Sequence, residues 1–229
     1  MNQNHPSNDN EFSKFFFWGP YLQTAKVSEE TINLLTSESN KLTMQDDART
    51  SLAGKIEDEK HFKYTEPQYE PAMAELSNTI SAYVMNAGKH FFYQDLDPNS
   101  YLIEWQGLWI NKQKAGESNP LHRHSGDISF VLYTQVPEEI HNEVDITTNK
   151  LPPGWIEFRD SFDLHSKSEL REDEVVKVLE PIRAIHVKPK RGLMLIFPSW
   201  LHHTVMEFKT PGVERISIAG NVYIRDKKE

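Results

Sequence analysis

The sequence predicts a mainly β protein: an antiparallel sheet closed or sandwiched on itself, with helices from the N-terminal part packed on its outside. Three observations carry this. Apolar residues recur at helical spacing in the stretch ending at Gly88, and the period changes to two from Tyr101 onward. Glycine and proline punctuate the second part, at Pro120, Pro137, Pro152, Gly154, Pro189, Gly192, Pro198, Pro211 and Gly212. No long helical pattern separates the strands between them, which argues against an alternating α/β arrangement.

Taken in order, residues 1–10 are polar and expected to be a disordered tail, and residues 11–229 are expected to form one domain. Its helical buttress spans about 25–100 and its barrel about 101–225. Residues 15–22 read as a short aromatic-rich strand. Ser28 is a helix N-cap, with Glu29 and Glu30 in the first turn and the helix running to about Leu35. Residues 40–69 are charged and weakly patterned. Met73, Leu76, Ile80, Val84 and Ala87 then share one helical face, with Gly88 as the stop. Strands are predicted over 101–111, 128–136, 155–158, 184–188, 193–197, 203–208 and 216–224. The charge-dense residues 166–180 read as a surface helix or a lid.

Composition narrows the function classes. The chain is 38% hydrophobic and 26% charged, an ordinary globular balance, and no stretch reaches the roughly 20 apolar residues of a membrane span. It contains no cysteine, which excludes disulfides, thiolate metal sites and cysteine nucleophiles, and fits a cytoplasmic setting. The net charge of −9 argues against nucleic acid as a partner. An anionic ligand must be held by a local cation.

The last strand offers one. Ile216, Ile218, Val222 and Ile224 point one way, while Arg215, Ser217, Asn221 and Tyr223 point the other. If the polar face looks inward, an arginine there is costly unless it meets an anion. Arg215 and Ser217 can hold a carboxylate together, one through its planar fork and one through its hydroxyl. The alternative is a solvated edge strand. His122 and His124, spaced i, i+2, can project to one side of a strand and suit a first-row transition metal. His202 and His203 follow about eighty residues later, and His203 stands twelve residues before Arg215, one hairpin away. A metal ligand beside a carboxylate-binding arginine is the arrangement that chelates a 2-oxo acid.

Phe197-Pro-Ser-Trp-Leu-His-His203-Thr-Val205, followed by Arg215-Ile-Ser217-Ile-Ala-Gly-Asn221, resembles the C-terminal signature of the 2-oxoglutarate/Fe(II) oxygenases. Trp109-Ile-Asn111, His122-Arg-His124, Ser129-Phe-Val-Leu-Tyr133 and Lys190-Arg-Gly192 are similar to a branch found in bacteria and phages and distantly related to prolyl hydroxylases. The resemblance covers residues 101–224. It implies a double-stranded β-helix (jelly roll), the cofactors Fe(II) and 2-oxoglutarate, and hydroxylation of a C–H bond with release of succinate and CO2. It implies dioxygen and a small-molecule or peptide substrate as partners. It makes His203 an iron ligand, sets Arg215 and Ser217 on the far carboxylate of 2-oxoglutarate, and adds Asn111 and Tyr133 to that pocket. One departure stands out: no Asp or Glu lies two residues after His122 or His124. Either His124 fills the carboxylate position or Asp127 does, and a third option is the His141-Asn-Glu143 stretch. The rival function is a cupin-like module that binds a metal or ligand without oxidative turnover.

Overall fold

A computed structural model describes residues 20–49, 54–143, 152–159 and 184–227. The polar tail 1–10 and the charged stretch 166–180 lie outside them, as do residues 15–19 of the first expected strand. Its described residues 20–22 are not in a strand, and the first described strand is β1 (Gln23–Lys26), whose backbone pairs at the edge of a sheet.

Helix α1 (Glu29–Ser39) starts where Ser28 caps it, the hydroxyl accepting the Thr31 amide at 3.2 Å. The same serine donates from its amide and its hydroxyl to the two carboxylate oxygens of Glu75, at 2.8 and 2.5 Å, locking α1 to α2 (Glu70–Phe92). Both helices outrun their predicted ends. Gly88 is not a stop: a Cβ there would come within 2.6 Å of Leu96, so glycine admits the returning chain, and the helix ends at left-handed Tyr93.

The remaining elements are strands β2 (Asp58–His61), β3 (Tyr101–Gln113), β4 (Asn119–His122), β5 (Ile128–Gln135), β6 (Ile156–Arg159), β7 (Ala184–Val187), β8 (Leu193–Pro198), β9 (His202–Val205) and β10 (Arg215–Asp226), with a short helix α3 (Glu138–His141) after β5. All pairings are antiparallel. One sheet has six strands in the order β1-β8-β5-β10-β3-β2, and the other four in the order β4-β9-β6-β7.

The central strands β8, β5 and β10 of the six-stranded sheet are buried on both faces, and the period of two decides what each face meets. Ile218 and Val222 of β10, Phe130 and Leu132 of β5, and Met194 and Ile196 of β8 pack on Ile32, Leu35, Leu76 and Ile80 of the helices. The opposite side chains Tyr133, Leu195 and Phe197 pack against Ile156 and Phe158 of the smaller sheet. The inward expectation for the polar side of the last strand is met: Arg215 and Ser217 lie between the sheets, 2% and 3% exposed.

Gly220 sits mid-β10, between Leu108 and Phe130 of its neighbours. A Cβ there would lie 2.7 Å from the Phe130 ring and 2.9 Å from the Gly107 carbonyl. Backbone on one side cannot yield, so Gly220→Ala is expected to destabilise by about 1–3 kcal/mol, the usual cost of overpacking. Urea melts compared with wild type check this, and an unchanged midpoint would mean the sheet is looser than drawn.

Candidate metal centre and acid pocket

Strand β9 brings the histidines together. In its ladders His203 stands opposite His122 of β4 and opposite Phe158 of β6. His124 follows two residues after His122, just before the chain turns through Ser125-Gly126, and its ring joins the same spot. Its amide donates to the Ser199 carbonyl at 2.9 Å. Gly126 has φ 98°, and a Cβ there would lie 2.9 Å from the Val222 carbonyl oxygen, so a side chain is disfavoured on both counts. Ring centroids lie 4.9 Å apart for His122 and His124, 4.2 Å for His122 and His203, and 5.0 Å for His124 and His203. One nitrogen from each falls within 4.8 Å of the others, and no other such group of metal-binding side chains occurs among the described residues.

Outer contacts orient two of the rings. His203 Nδ1 donates to the Leu201 carbonyl at 3.0 Å and His122 Nδ1 to the Pro120 carbonyl at 2.7 Å. A carbonyl only accepts, so each proton sits on Nδ1 and each Nε2 keeps its lone pair. Burial, then the neighbouring rings, pushes His124 down to about 4 and His203 to about 3, and His122 is lowered by burial as well. Three neutral imidazoles facing one point are a donor set for a divalent transition metal.

The other expected ligands sit elsewhere. The Asp127 carboxylate accepts the Ile224 amide at 2.8 Å, and its backbone bridges Val222 and Ser199, so it ties β5 to β10. Glu143 accepts from the amides of Lys209 and Thr210 at 2.8 and 2.6 Å, and buttresses a loop.

Beside the cluster, one narrow cavity is lined by Asn111, Tyr133, His203, Arg215 and Ser217. Arg215 is fully enclosed. One terminal nitrogen donates to the Gly154 carbonyl at 2.5 Å, while its Nε has no partner. The guanidinium carbon lies 5.5 Å from the centre of the Tyr133 ring, and no described carboxylate pairs with it. Burial lowers its pKa and raises that of Tyr133, whose hydroxyl is also without a partner, as is the Asn111 carbonyl oxygen. A buried cation, a free phenol and a serine hydroxyl around one space match a carboxylate ligand. The residues fit both groups that the sequence implies: a metal at the histidines and an acid at Arg215.

Sequence reasoning missed β2 and with it Glu59 and His61, which enter the same face beside Asn111 and Trp109. The run Asp58-Glu-Lys-His61 has no apolar alternation, and only its pairing partner marks it as a strand. Ser129 and Asn221 prove structural: the Ser129 hydroxyl donates to Asn221 at 2.8 Å and meets the Ser199 hydroxyl at 2.8 Å.

Comparison with known proteins supports the same chemistry. The profile of the family described as "Putative 2OG-Fe(II) oxygenase" matches residues 107–221, half of the chain. No curated protein matches it in sequence. Among solved structures it is similar to a viral collagen prolyl hydroxylase of Paramecium Bursaria Chlorella virus-1 in a 2OG complex, 16% identical, covering 91% of this chain and 98% of that one with a TM-score of 0.50. It is similar to a prolyl hydroxylase of Trichoplax adhaerens in complex with a hypoxia inducible factor peptide fragment, 11% identical over 90% and 83% of the two chains, TM-score 0.52. A third is the non-heme alpha ketoglutarate dependent epimerase SnoN of nogalamycin biosynthesis, 14% identical over 90% and 78%, TM-score 0.52. At these identities the likeness establishes the fold, a jelly roll with helices outside it.

The depressed histidines carry a pH signature. Unfolded, each imidazole takes its proton near 6.5; folded, His124 waits until about 4. The unfolded state thus binds more protons in this window, and folding loses stability as pH falls from about 6.5 toward 4, with no further loss below. Allowing for partial solvent screening, the His124 share is on the order of 2–3 kcal/mol. In chelator-treated protein, the stability of wild type relative to His124→Gln should drop by that amount between pH 7 and 4. Urea melts at each pH measure it, and a difference independent of pH would show that His124 is not held neutral.

Proposed function

The chain belongs to the 2OG-Fe(II) oxygenase family, and from that premise we propose that it hydroxylates a C–H bond of a small-molecule or peptide substrate. Oxidation dependent on Fe(II) and 2-oxoglutarate follows from the family; hydroxylation as its outcome is the reading argued here. The observation that carries it is the enclosed Arg215, which has no carboxylate partner among the described residues and stands beside three convergent histidines.

In this reading His122, His124 and His203 hold the iron. Arg215 and Ser217 take the far carboxylate of the co-substrate, and Tyr133 and Asn111 close its pocket. Bound iron and 2-oxoglutarate supply the oxidant, the co-substrate leaving as succinate and CO2. The protein's own part is positional. Leu201 and Pro120 hold the imidazoles in one tautomer. Phe158 and Phe197, packed 4.8 Å apart beside His203, keep water from the inner side of the centre. A purely ligand-binding cupin-like module would have no need of an enclosed arginine at this place. We take residues 11–229 as one domain, a reading supported by the core that the described residues of α1, α2 and the six-stranded sheet share. The cytoplasm suits the enzyme, where a reducing medium keeps iron ferrous and 2-oxoglutarate is a metabolite. Among the described residues no helix is long and apolar enough to cross a membrane.

Arg215→Met is expected to raise the 2-oxoglutarate concentration needed for anaerobic binding roughly ten- to a hundredfold, as losing one charge-assisted contact costs about 1.5–3 kcal/mol. Mn(II) affinity should change far less. His203→Ala should abolish Mn(II) binding and the formation of succinate, and a turnover with labelled dioxygen should place label in the product alcohol. Calorimetric titration separates the two ligands. Equal weakening of both by Arg215→Met would show that this arginine supports the fold instead.

A further inference from the structure

One buried carboxylate near the metal centre has no role in the chemistry above. Glu59 stands on β2 opposite Asn111 of β3, and His61 opposite Trp109. Paired residues share a face of the sheet, and Asn111 and Trp109 face the space between the sheets. Glu59 therefore projects inward too. With His61, Trp109, Asn119, His122 and His124 it lines a second cavity of about 360 Å³ on the open side of the histidine cluster.

Glu59 is 5% exposed, and its Oε2 has no hydrogen-bond partner. The cations near it are otherwise placed: Lys60, next on the strand, is paired with Asp58 at 2.5 Å, and Arg123 is exposed at the rim. Burial, reinforced by the Asp47 carboxylate, lifts the Glu59 pKa to about 7. A buried carboxyl without a donor is a cost to the fold. No group among the described residues offsets it, so a ligand that does must bring hydrogen-bond donors, and positive charge serves best. A second metal ion is disfavoured, because no second set of ligands gathers here among the described residues.

We propose that Glu59 anchors the substrate, and that this cavity takes an organic cation, a molecule bearing a protonated amine or a guanidinium. The carboxylate holds the cationic group at one end of the cavity while His122 and His124 border the other, so the part of the molecule to be oxidised lies over the metal centre. This deepens the oxygenase reading and rests on it for the reaction, although the contact itself requires no metal.

Wild type loaded with Mn(II) and 2-oxoglutarate without air is titrated with matched probes: cadaverine against pentanediol, acetyl-lysine amide against acetyl-norleucine amide, and acetyl-arginine amide against acetyl-citrulline amide. At least one cationic probe should bind about tenfold or more tightly than its neutral counterpart, and Glu59→Gln should erase that preference while leaving Mn(II) and 2-oxoglutarate affinities within about threefold. The variant should melt at or above the wild-type temperature, because it removes an uncompensated charge. Absence of a cationic preference, or of any cationic binding, overturns the proposal. So does a preference that survives in Glu59→Gln, or a variant that melts lower or loses Mn(II). Failure of wild type to bind Mn(II) and 2-oxoglutarate would instead sink the oxygenase reading. The probe series is then repeated on metal-free protein, where the same outcomes decide the role of Glu59.

Discussion

An arginine enclosed between two sheets governs this structure. Among the described residues Arg215 heads the large fully buried side chains, and its guanidinium finds there a single backbone carbonyl, that of Gly154, and the face of Tyr133. Desolvating such a group costs several kcal/mol if nothing answers it. An edge strand could relieve the cost by turning the side chain to water, but β10 lies between β3 and β5, and its even-numbered residues are committed to the core under the helices. Moving the register by one residue would set Ile216 and Ile218 between the sheets and Arg215 among leucines. The arginine is thus fixed by the apolar residues beside it, and the interior must supply an anion.

The same alternation places the metal ligands. His203 is inward on β9 because its neighbours in the ladders, His122 and Phe158, are inward as well. His124 stands two residues beyond His122 and shares its side, and the turn that follows depends on Gly126 in a conformation other residues avoid. Once the chain has turned there, Asp127 emerges against β10 and is consumed by the Ile224 amide. A strict count of two along an extended chain could not choose between His124 and Asp127, since the turn falls between them.

What was legible in the sequence follows from this. Long strands with one apolar face announce themselves, and β3, β5, β8 and β10 begin within a residue of their expected starts. Arg215, Ser217 and the histidines were readable because their spacing matched that geometry. The short strands β6, β7 and β9 were legible too, but two without an apolar pattern were not: β4 is four residues with a proline, and β2 is wholly charged or polar. Glu59 was hidden for that reason. Burial of a charged residue in a polar run is set by the strand it pairs with, and that partner lies some fifty residues away. Glycines misled in the other direction, since Gly88 reads as a helix stop and works as a gap for Leu96.

These features share a physical character. The unpartnered Arg215 nitrogen, the three imidazoles held neutral, and the bare Glu59 oxygen each lower the stability of the protein without its ligands. They are opposite in sign and separated in space: cation at the closed end, neutral donors in the middle, carboxylate at the open end. An acid entering at one end and a cation at the other would each relieve a cost already present in the fold, with little rearrangement required. A site arranged this way gains affinity from ligands of the right charge and rejects those of the wrong one, because the mismatched group would be buried beside a like charge. Selectivity then depends less on the shape of the cavity than on which polar groups the jelly roll leaves unanswered.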